Sequence, residues 1–224
     1  YKIEASYLSP NVEVAVNVEA ATQIYNVNFL ASEAVVKNCC QGMRDKCRLI
    51  DRVVVPGSKI PVQLFSIDLD VLNIEVGAPS KLPTFGARLR VFARQYLEVQ
   101  RRNKPKHDVE TLFDEDLDIQ TMRREVSDDF LEIFRMGYQN YAEGEWQVAQ
   151  KFLEETCVLR GSVDGPSVAL IRFMESFGFE APPGWRGVHD LSDFQAAGVG
   201  LSSAARGDGA CSVGVGLSSA ARGD

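Results

Sequence analysis

The first amphipathic stretch of the chain, residues 9–25, fits two periods at once. Valines at positions 12, 14, 16 and 18 alternate with other side chains, which is the period of a strand. Against this, Ser9 is a good helix N-cap and Pro10 suits the first helical position. As a helix, the segment would present one apolar stripe, formed by Val14, Val18, Ala21 and Tyr25. The local pattern therefore leaves both structures open.

The apolar segments that follow, up to residue 75, predict a mixture of strand and helix. Residues 27–30 predict a short strand, and residues 32–47 predict a helix. Two further apolar runs flank a Pro-Gly-Ser-Lys turn at 56–59, and this predicts that 48–55 pairs antiparallel with 62–69.

Residues 76–126 predict a connector with a basic amphipathic helix. Seven arginines and lysines lie between 88 and 106, and six acidic residues follow between 108 and 118. Such a helix can bind a membrane surface or a calmodulin-like partner. The alternative, which we favour, is packing on its own domain, because the acidic segment can neutralise the basic one. The apolar positions of the predicted basic helix recur at spacings of four and three residues: Phe85, Leu89, Phe92, Tyr96 and Val99.

Residues 127–191 predict helices, and residues 192–224 predict a disordered tail. Ser127 is a suitable N-cap, residues 143–145 break the first helix, and a third helix is expected from Asp164 to Gly178, followed by a short tail at 187–191. The spacing of Gly137, Ala149 and Leu153 resembles one tetratricopeptide repeat, in which small residues let paired helices approach closely. The tail is of low complexity, since residues 198–208 recur unchanged at 214–224.

Composition and charge exclude some classes of function. The 224 residues are 45% hydrophobic and 25% charged, which is ordinary for a globular protein, and the net charge of −7 argues against a nucleic-acid partner. The sequence has no apolar run long enough for a transmembrane segment. Its five cysteines lack metal-ligand spacing, so we expect reduced thiols and a cytoplasmic location. Because the chain begins at Tyr1 inside a motif, we expect a fragment whose parent could be membrane-attached upstream.

Two motifs resemble the C-terminal half of the catalytic domain of class III nucleotidyl cyclases. The first is Ser-Pro-Asn-Val at 9–12 with Glu-Ala-Ala-Thr at 19–22, and the second is the Asp-Arg-Val hairpin at 51–65. The region from 164 to 188 resembles the extension that follows this domain in some microbial and protist cyclases. The resemblance favours a helix over residues 11–25. It implies an α+β fold: a ferredoxin-like half domain with a terminal β-hairpin (1–75), the connector (76–126), the tetratricopeptide-like extension (127–191) and the tail (192–224).

The resemblance also assigns candidate site residues. In its register, the family's transition-state asparagine falls on Glu13, its arginine on Asn17, and its purine-reading position on Ser6. The family needs donors and cations there, because negative charge builds up on phosphate in the transition state. Glu13 has the wrong sign, and Asn17 offers one neutral amide in place of a guanidinium fork.

The metal-binding half of the family's site is missing from this chain. Mg²⁺ or Mn²⁺ is implied only for a complete cyclase, and Asp51, Asp68 and Asp70 do not substitute for the family's two metal aspartates. We expect those three carboxylates to be solvated or to cap turns at the base of the hairpin. The chain alone therefore predicts no bound metal and no cofactor.

The sequence thus predicts a catalytically incomplete part of a nucleotidyl cyclase in cyclic-nucleotide signalling. Its expected role is to dimerise with, or regulate, a cyclase subunit, and ATP or GTP would bind only in a complete site. The alternative is a protein-interaction module, in which the helical extension binds a partner and the cyclase remnant is scaffold. A third option, an active cyclase with unusual residues, needs the missing half upstream.

Overall fold

The computed structural model describes residues 9–56, 58, 60–75, 87–103 and 109–196, and these form a mixed α and β structure. This confirms the α+β class. Helices predominate and surround one small sheet. The strands are β1 (Ala31–Ser32), β2 (Arg48–Val54), β3 (Val62–Ser66) and β4 (His189–Asp190). The helices are α1 (Pro10–Tyr25), α2 (Glu33–Val36), α3 (Gln41–Asp45), α4 (Ala87–Asn103), α5 (Val109–Glu115), α6 (Leu117–Met122), α7 (Asp128–Glu143), α8 (Trp146–Arg160), α9 (Gly165–Ser176) and α10 (Leu191–Ala196).

The ambiguous first segment is helix α1, the structure that the resemblance favoured. Ser9 has the extended backbone of an N-cap residue, and Asn26 ends the helix in the left-handed region at φ 48°. The stripe that a helix requires is buried, with Val18 at 6% exposure and Ala21 and Tyr25 at 0%. The valine alternation does not make a strand, because Val12 and Val16 lie on the exposed side of the helix.

The predicted hairpin is confirmed as β2 and β3, which pair antiparallel from Arg48↔Ser66 to Val53↔Val62. An irregularity between Leu49 and Asp51 shifts the register. Strand β3 ends at Ser66, short of the predicted residue 69.

Two local predictions in residues 27–47 are wrong. Residues 27–30 are irregular, and the strand that pairs with β3 is Ala31–Ser32. The helix predicted over 32–47 is broken into α2 and α3. Polar side chains satisfy the backbone at the break: the Asn38 amide donates to the Ala34 carbonyl at 2.7 Å, and Arg44 Nε donates to the Cys39 carbonyl at 2.9 Å.

The helices of residues 127–178 form largely as predicted. The Ser127 hydroxyl caps α7 by accepting from the Phe130 amide at 3.1 Å, and Gly144 ends α7 in the left-handed region. Helix α8 packs along α7, where a Cβ on Gly137 would lie 2.8 Å from Leu153 Cδ2. Helix α9 begins after the cap Asp164 and ends at Ser176, two residues before the predicted end.

The segment expected only as a short tail, 187–191, adds a strand to the sheet. Strand β4 pairs parallel with β2 at Val53↔His189 and gives the strand order β1-β3-β2-β4. Helix α10 follows directly, so the prediction of disorder from residue 192 is wrong for residues 192–196. Residues 197–224, with the duplicated segment, lie outside the described residues.

The connector contains the predicted amphipathic helix, α4, but not the expected packing. Its described side chains are exposed, for example Leu89 at 57% and Phe92 at 61%, so the expectation that this helix packs on its own domain is wrong. Phe85 and residues 104–108 lie outside the described residues. In the acidic segment, Oδ1 of Asp114 lies 3.8 Å from Nζ of Lys46, the residue that ends α3.

The core joins the two ends of the chain. Buried residues of α1 and of the hairpin, such as Tyr25 and Ile50, form one cluster with buried residues of α7, α8 and α9. The predicted boundary between a half domain at 1–75 and an extension at 127–191 therefore does not divide the hydrophobic core. The extension contributes Phe134, Tyr141, Trp146, Ala149, Leu153, Ala169, Leu170, Phe173 and Met174.

Candidate functional site

The predicted transition-state positions lie on one side of α1. Glu13 is exposed, and Asn17, one turn later, is half-buried. The Asn17 amide donates to the Pro56 carbonyl at 3.0 Å, so it holds the turn of the hairpin against the helix. Ser6 lies outside the described residues. This surface thus carries one anion and one amide that is already engaged, and neither suits a developing negative charge.

The apolar residues beside Glu13 are exposed. Val12 is 43% exposed and Val16 is 59% exposed, on a helix that buries its opposite stripe in the core. Two such valines on adjacent turns form a small apolar surface next to the predicted half-site.

The carboxylates at the base of the hairpin are not solvated, which corrects the sequence interpretation. Asp51 is 0% exposed and Asp68 is 6% exposed. Each is engaged by a buried partner, since a buried charge is tolerated only when it is paired or hydrogen-bonded. Among the described residues, no cluster of three or more His, Cys, Asp or Glu side chains could hold a metal ion. Asp70 caps the short 3₁₀ turn at 71–73 by accepting from the Leu72 amide at 3.0 Å, as a turn-capping residue should.

Asp68 belongs to an ionic cluster around Arg48. The Arg48 guanidinium donates twice to Asp68, at 2.6 and 2.9 Å, and twice to Asp164, at 2.9 and 3.0 Å. Asp164 is also the N-cap of α9, where it accepts from the Ser167 amide at 3.0 Å. Burial by itself would raise the pKa of Asp164. The charge and the hydrogen bonds of Arg48 lower this pKa by more than burial raises it, so the net shift is downward. The cluster ties β2 and the segment after β3 to α9.

A second buried polar group surrounds Asp51. The Tyr25 hydroxyl donates to Asp51 Oδ2 at 2.6 Å, and His189 Nε2 lies 3.6 Å from the same oxygen. On its other side, His189 Nδ1 is 3.0 Å from the Tyr141 hydroxyl. Burial raises the pKa of the Asp51 carboxyl, and the nearby His189 and the Tyr25 hydrogen bond offset only part of that effect. Both ring nitrogens of His189 face buried side chains.

This Asp–His–Tyr arrangement therefore connects strands with helices. Asp51 lies on β2, His189 on β4 and Tyr141 on α7. Burial raises the pKa of Tyr141 well above its ordinary range, and the charge of Asp51 adds to the effect, so its hydroxyl stays protonated. Sequence reasoning missed these residues. The available signal was the presence of charged residues, Arg48 and Asp51 among them, inside a strand rich in apolar residues.

A cleft of about 560 Å³ lies above this group. Its base includes His189 and Phe173, whose rings stack with centroids 4.4 Å apart. The rim carries two exposed arginines, Arg52 from β2 and Arg186 from the loop before β4. The other lining residues are Pro61, Phe177, Pro182, Pro183, Gly184, Trp185, Val188 and Asp193.

Comparison of the chain with protein-family models, with curated proteins and with solved structures returned no match. The resemblance to nucleotidyl cyclases thus rests on the motifs quoted above. Among the described residues, none of the helices combines the length and the apolar character that a membrane span requires.

Proposed function

We propose that this chain is the C-terminal part of a class III nucleotidyl cyclase or cyclase-like protein and acts as a non-catalytic dimerising or regulatory partner of a cyclase subunit. The order of elements supports the proposal: the helix at Pro10–Tyr25 precedes the antiparallel hairpin of β2 and β3, as the resemblance implies. The observation that carries it is the position of Glu13 and Asn17 on adjacent turns of α1, where Glu13 is exposed and the half-buried Asn17 is bonded to Pro56.

The substitutions at these two positions support a non-catalytic role. A cyclase moves negative charge onto phosphate oxygens, and removal of one donor at such a site costs about 10²-fold to 10³-fold in rate. Here Glu13 presents an anion, and the single amide of Asn17 is bonded to Pro56. The described aspartates do not fit a metal site either, because Asp51 and Asp68 are buried against Tyr25 and Arg48.

A measurable consequence is that the chain forms no cyclic nucleotide from ATP or GTP with Mg²⁺ or Mn²⁺. The double variant Glu13→Asn, Asn17→Arg should remain inactive, since the metal-binding half is still missing. In a longer chain with a complete upstream half, the same double change should raise turnover about 10³-fold or more if both donors engage the phosphate. Equal, substantial turnover of the long chain with and without the change would show that these residues are not at the transition-state positions.

The dimerising role can be tested by association. The exposed Val12 and Val16 flank Glu13, so a partner that completes the site would cover them. We expect the full chain to associate with a complete cyclase subunit in sedimentation velocity, and Val16→Asp to weaken the association at least tenfold, because it places a charge in an apolar contact. A matched control is Val158→Asp, since Val158 on α8 is 74% exposed and far from α1 in the chain.

The competing function, a protein-interaction module built on the helical extension, has less structural support. The close contact of Gly137 with Leu153 and the buried faces of α7, α8 and α9 are used inside the core. If the chain ignores a cyclase subunit, or if Val16→Asp associates like the unchanged chain, the dimerising proposal is wrong and the module becomes the better hypothesis.

A further inference from the structure

The cleft beside β4 has the dimensions and the lining of a small-molecule site. Its volume of about 560 Å³ lies within the range of roughly 300 to 1,000 Å³ that ligand pockets occupy. Six of its twelve lining residues are aromatic or proline, and four others, Arg52, Arg186, His189 and Asp193, carry polar groups. This combination is typical of sites that bind an organic ligand in one orientation.

One wall of the cleft is a fixed aromatic plane. The indole of Trp185 donates to the Tyr141 carbonyl at 2.9 Å and meets the ring of Trp146 edge-on, with centroids 5.1 Å apart. Trp185 is nevertheless half-buried rather than buried, so part of its surface faces the cleft. An indole that is already held in place loses little conformational entropy when a flat ring stacks on it.

The charge of the cleft is unusual for this chain. The whole sequence carries −7, yet the rim presents the guanidinium groups of Arg52 and Arg186. Neither side chain makes an ion pair or a hydrogen bond with the described part of the chain. The one acidic residue in the lining, Asp193, uses Oδ2 to accept from the Asp190 amide at 3.1 Å. The cleft therefore has two cationic forks whose donors are available to an anion.

We propose that this cleft binds a small ligand that carries one phosphate group beside a planar ring. Guanidinium groups match the geometry of phosphate oxygens, and a phosphate group offers three acceptor oxygens to the two forks. The planar part stacks on Trp185, while Phe177 and the prolines cover its edge. The inference rests on the cleft alone and is independent of the proposed partnership with a cyclase.

The test is a titration of the full chain with AMP, followed by calorimetry and by tryptophan fluorescence. Adenosine supplies the ring without the charge, and ribose 5-phosphate supplies the charge without the ring. We expect AMP to bind at least tenfold more tightly than either fragment, and its binding to weaken as salt is raised. Equal binding of AMP and ribose 5-phosphate, or no binding of AMP at 1 mM, overturns the proposal; that concentration is about the weak limit of useful affinity.

Two variants place the site. Arg52→Gln and Arg186→Gln should each weaken AMP binding by about tenfold, because each removes a charged donor to phosphate. Both residues are exposed, so the fold should be kept, and the thermal midpoint checks this. The matched control is Arg124→Gln, an exposed arginine outside the cleft lining, which should bind AMP like the unchanged chain. If all three variants bind alike, the phosphate does not lie between Arg52 and Arg186 and the proposal fails.

Discussion

At the scale of single residues, Arg48 places the strongest constraint on the fold. Its guanidinium is buried, with the carbon 4.3 Å from the ring centroid of Phe134, and its four hydrogen bonds go to two carboxylates from distant parts of the chain. A buried charge is costly without such partners. The cluster is therefore stable only when the hairpin and α9 are both in place.

Removal of Arg48 should destabilise the protein strongly. In Arg48→Gln, Asp68 and Asp164 lose a cation while they stay buried, and we expect a loss of about 3 to 5 kcal/mol in the free energy of unfolding. Urea denaturation measures this. The control Arg135→Gln removes an exposed ion pair with Glu132 and should cost less than about 1 kcal/mol. Similar losses in the two variants would contradict the account of the Arg48 cluster.

Two buried aspartates should give the stability of the protein opposite dependences on pH. The folded-state pKa of Asp51 is raised by burial, so its native form holds a proton that the unfolded chain has released, and stability falls as pH rises from about 4 to the raised value. The folded-state pKa of Asp164 is lowered on balance by Arg48, so stability falls as pH drops below about 4.

Asn variants at the two positions separate these effects. Relative to the unchanged chain, Asp51→Asn should become more stable as pH rises above about 4, because the cost of ionising a buried carboxyl is removed. Asp164→Asn should lose relative stability as pH rises towards about 4 and then stay level. Urea denaturation across pH 3 to 8 gives both curves. Parallel curves for the two variants would contradict the assigned shifts.

At the scale of elements, the close contact of α7 and α8 depends on Gly137, which has no side chain. A Cβ at Gly137 would lie 2.8 Å from Cδ2 of Leu153, whose side chain is fully buried. The predicted tetratricopeptide-like spacing is thus matched by a close helix approach at Gly137. Helix α7 also packs on β2, and α8 packs on α9.

Substitution of this glycine should therefore destabilise the protein although alanine is the better helix former. For Gly137→Ala we expect a loss of about 1 to 3 kcal/mol from overpacking, larger than the propensity gain of up to about 1 kcal/mol. Thermal or urea unfolding checks the sign. Gln147→Ala, at an exposed position of α8, is the control and should be neutral or slightly stabilising. A more stable Gly137→Ala would mean that the helices lie farther apart.

At the scale of the whole molecule, the two predicted units share one interior. Strand β4 pairs with β2, and Tyr25 of α1 lies in the same cluster as Leu170 and Met174 of α9. The N-terminal elements by themselves would leave that apolar surface exposed. The connector at 76–126 therefore separates two segments of the sequence, but the folded core needs residues from both segments.

Truncation should show this dependence. A chain that ends at residue 126 loses α7–α9 and exposes Tyr25, Ile50 and Val53, so we expect no cooperative thermal unfolding by circular dichroism. A chain that ends at residue 196 keeps every described element and should unfold with the midpoint of the full chain. Cooperative unfolding of the 1–126 chain would show that it has a core of its own.

The sequence by itself determined those elements whose signals are local. Ser127 and Gly144 delimit α7, Asp164 caps α9, and β2 ends just before Pro56, because caps and chain-breaking residues act through backbone groups a few residues away. The stripe on α1 could also be read, since its spacing follows from the helix period alone. The quoted motifs supported the same elements.

Only the tertiary structure decided how distant polar residues are used. Asp51 and Asp68 are ordinary hairpin carboxylates in the sequence, and they become buried because Tyr25 and Arg48 reach them across the fold. His189 lies 138 residues after Asp51 in the sequence, and Trp185 lies 134 residues after it. The parallel pairing of β4 with β2 brings this segment next to the hairpin. Burial and pairing between such separated residues depend on chain topology, which local periodicity does not encode.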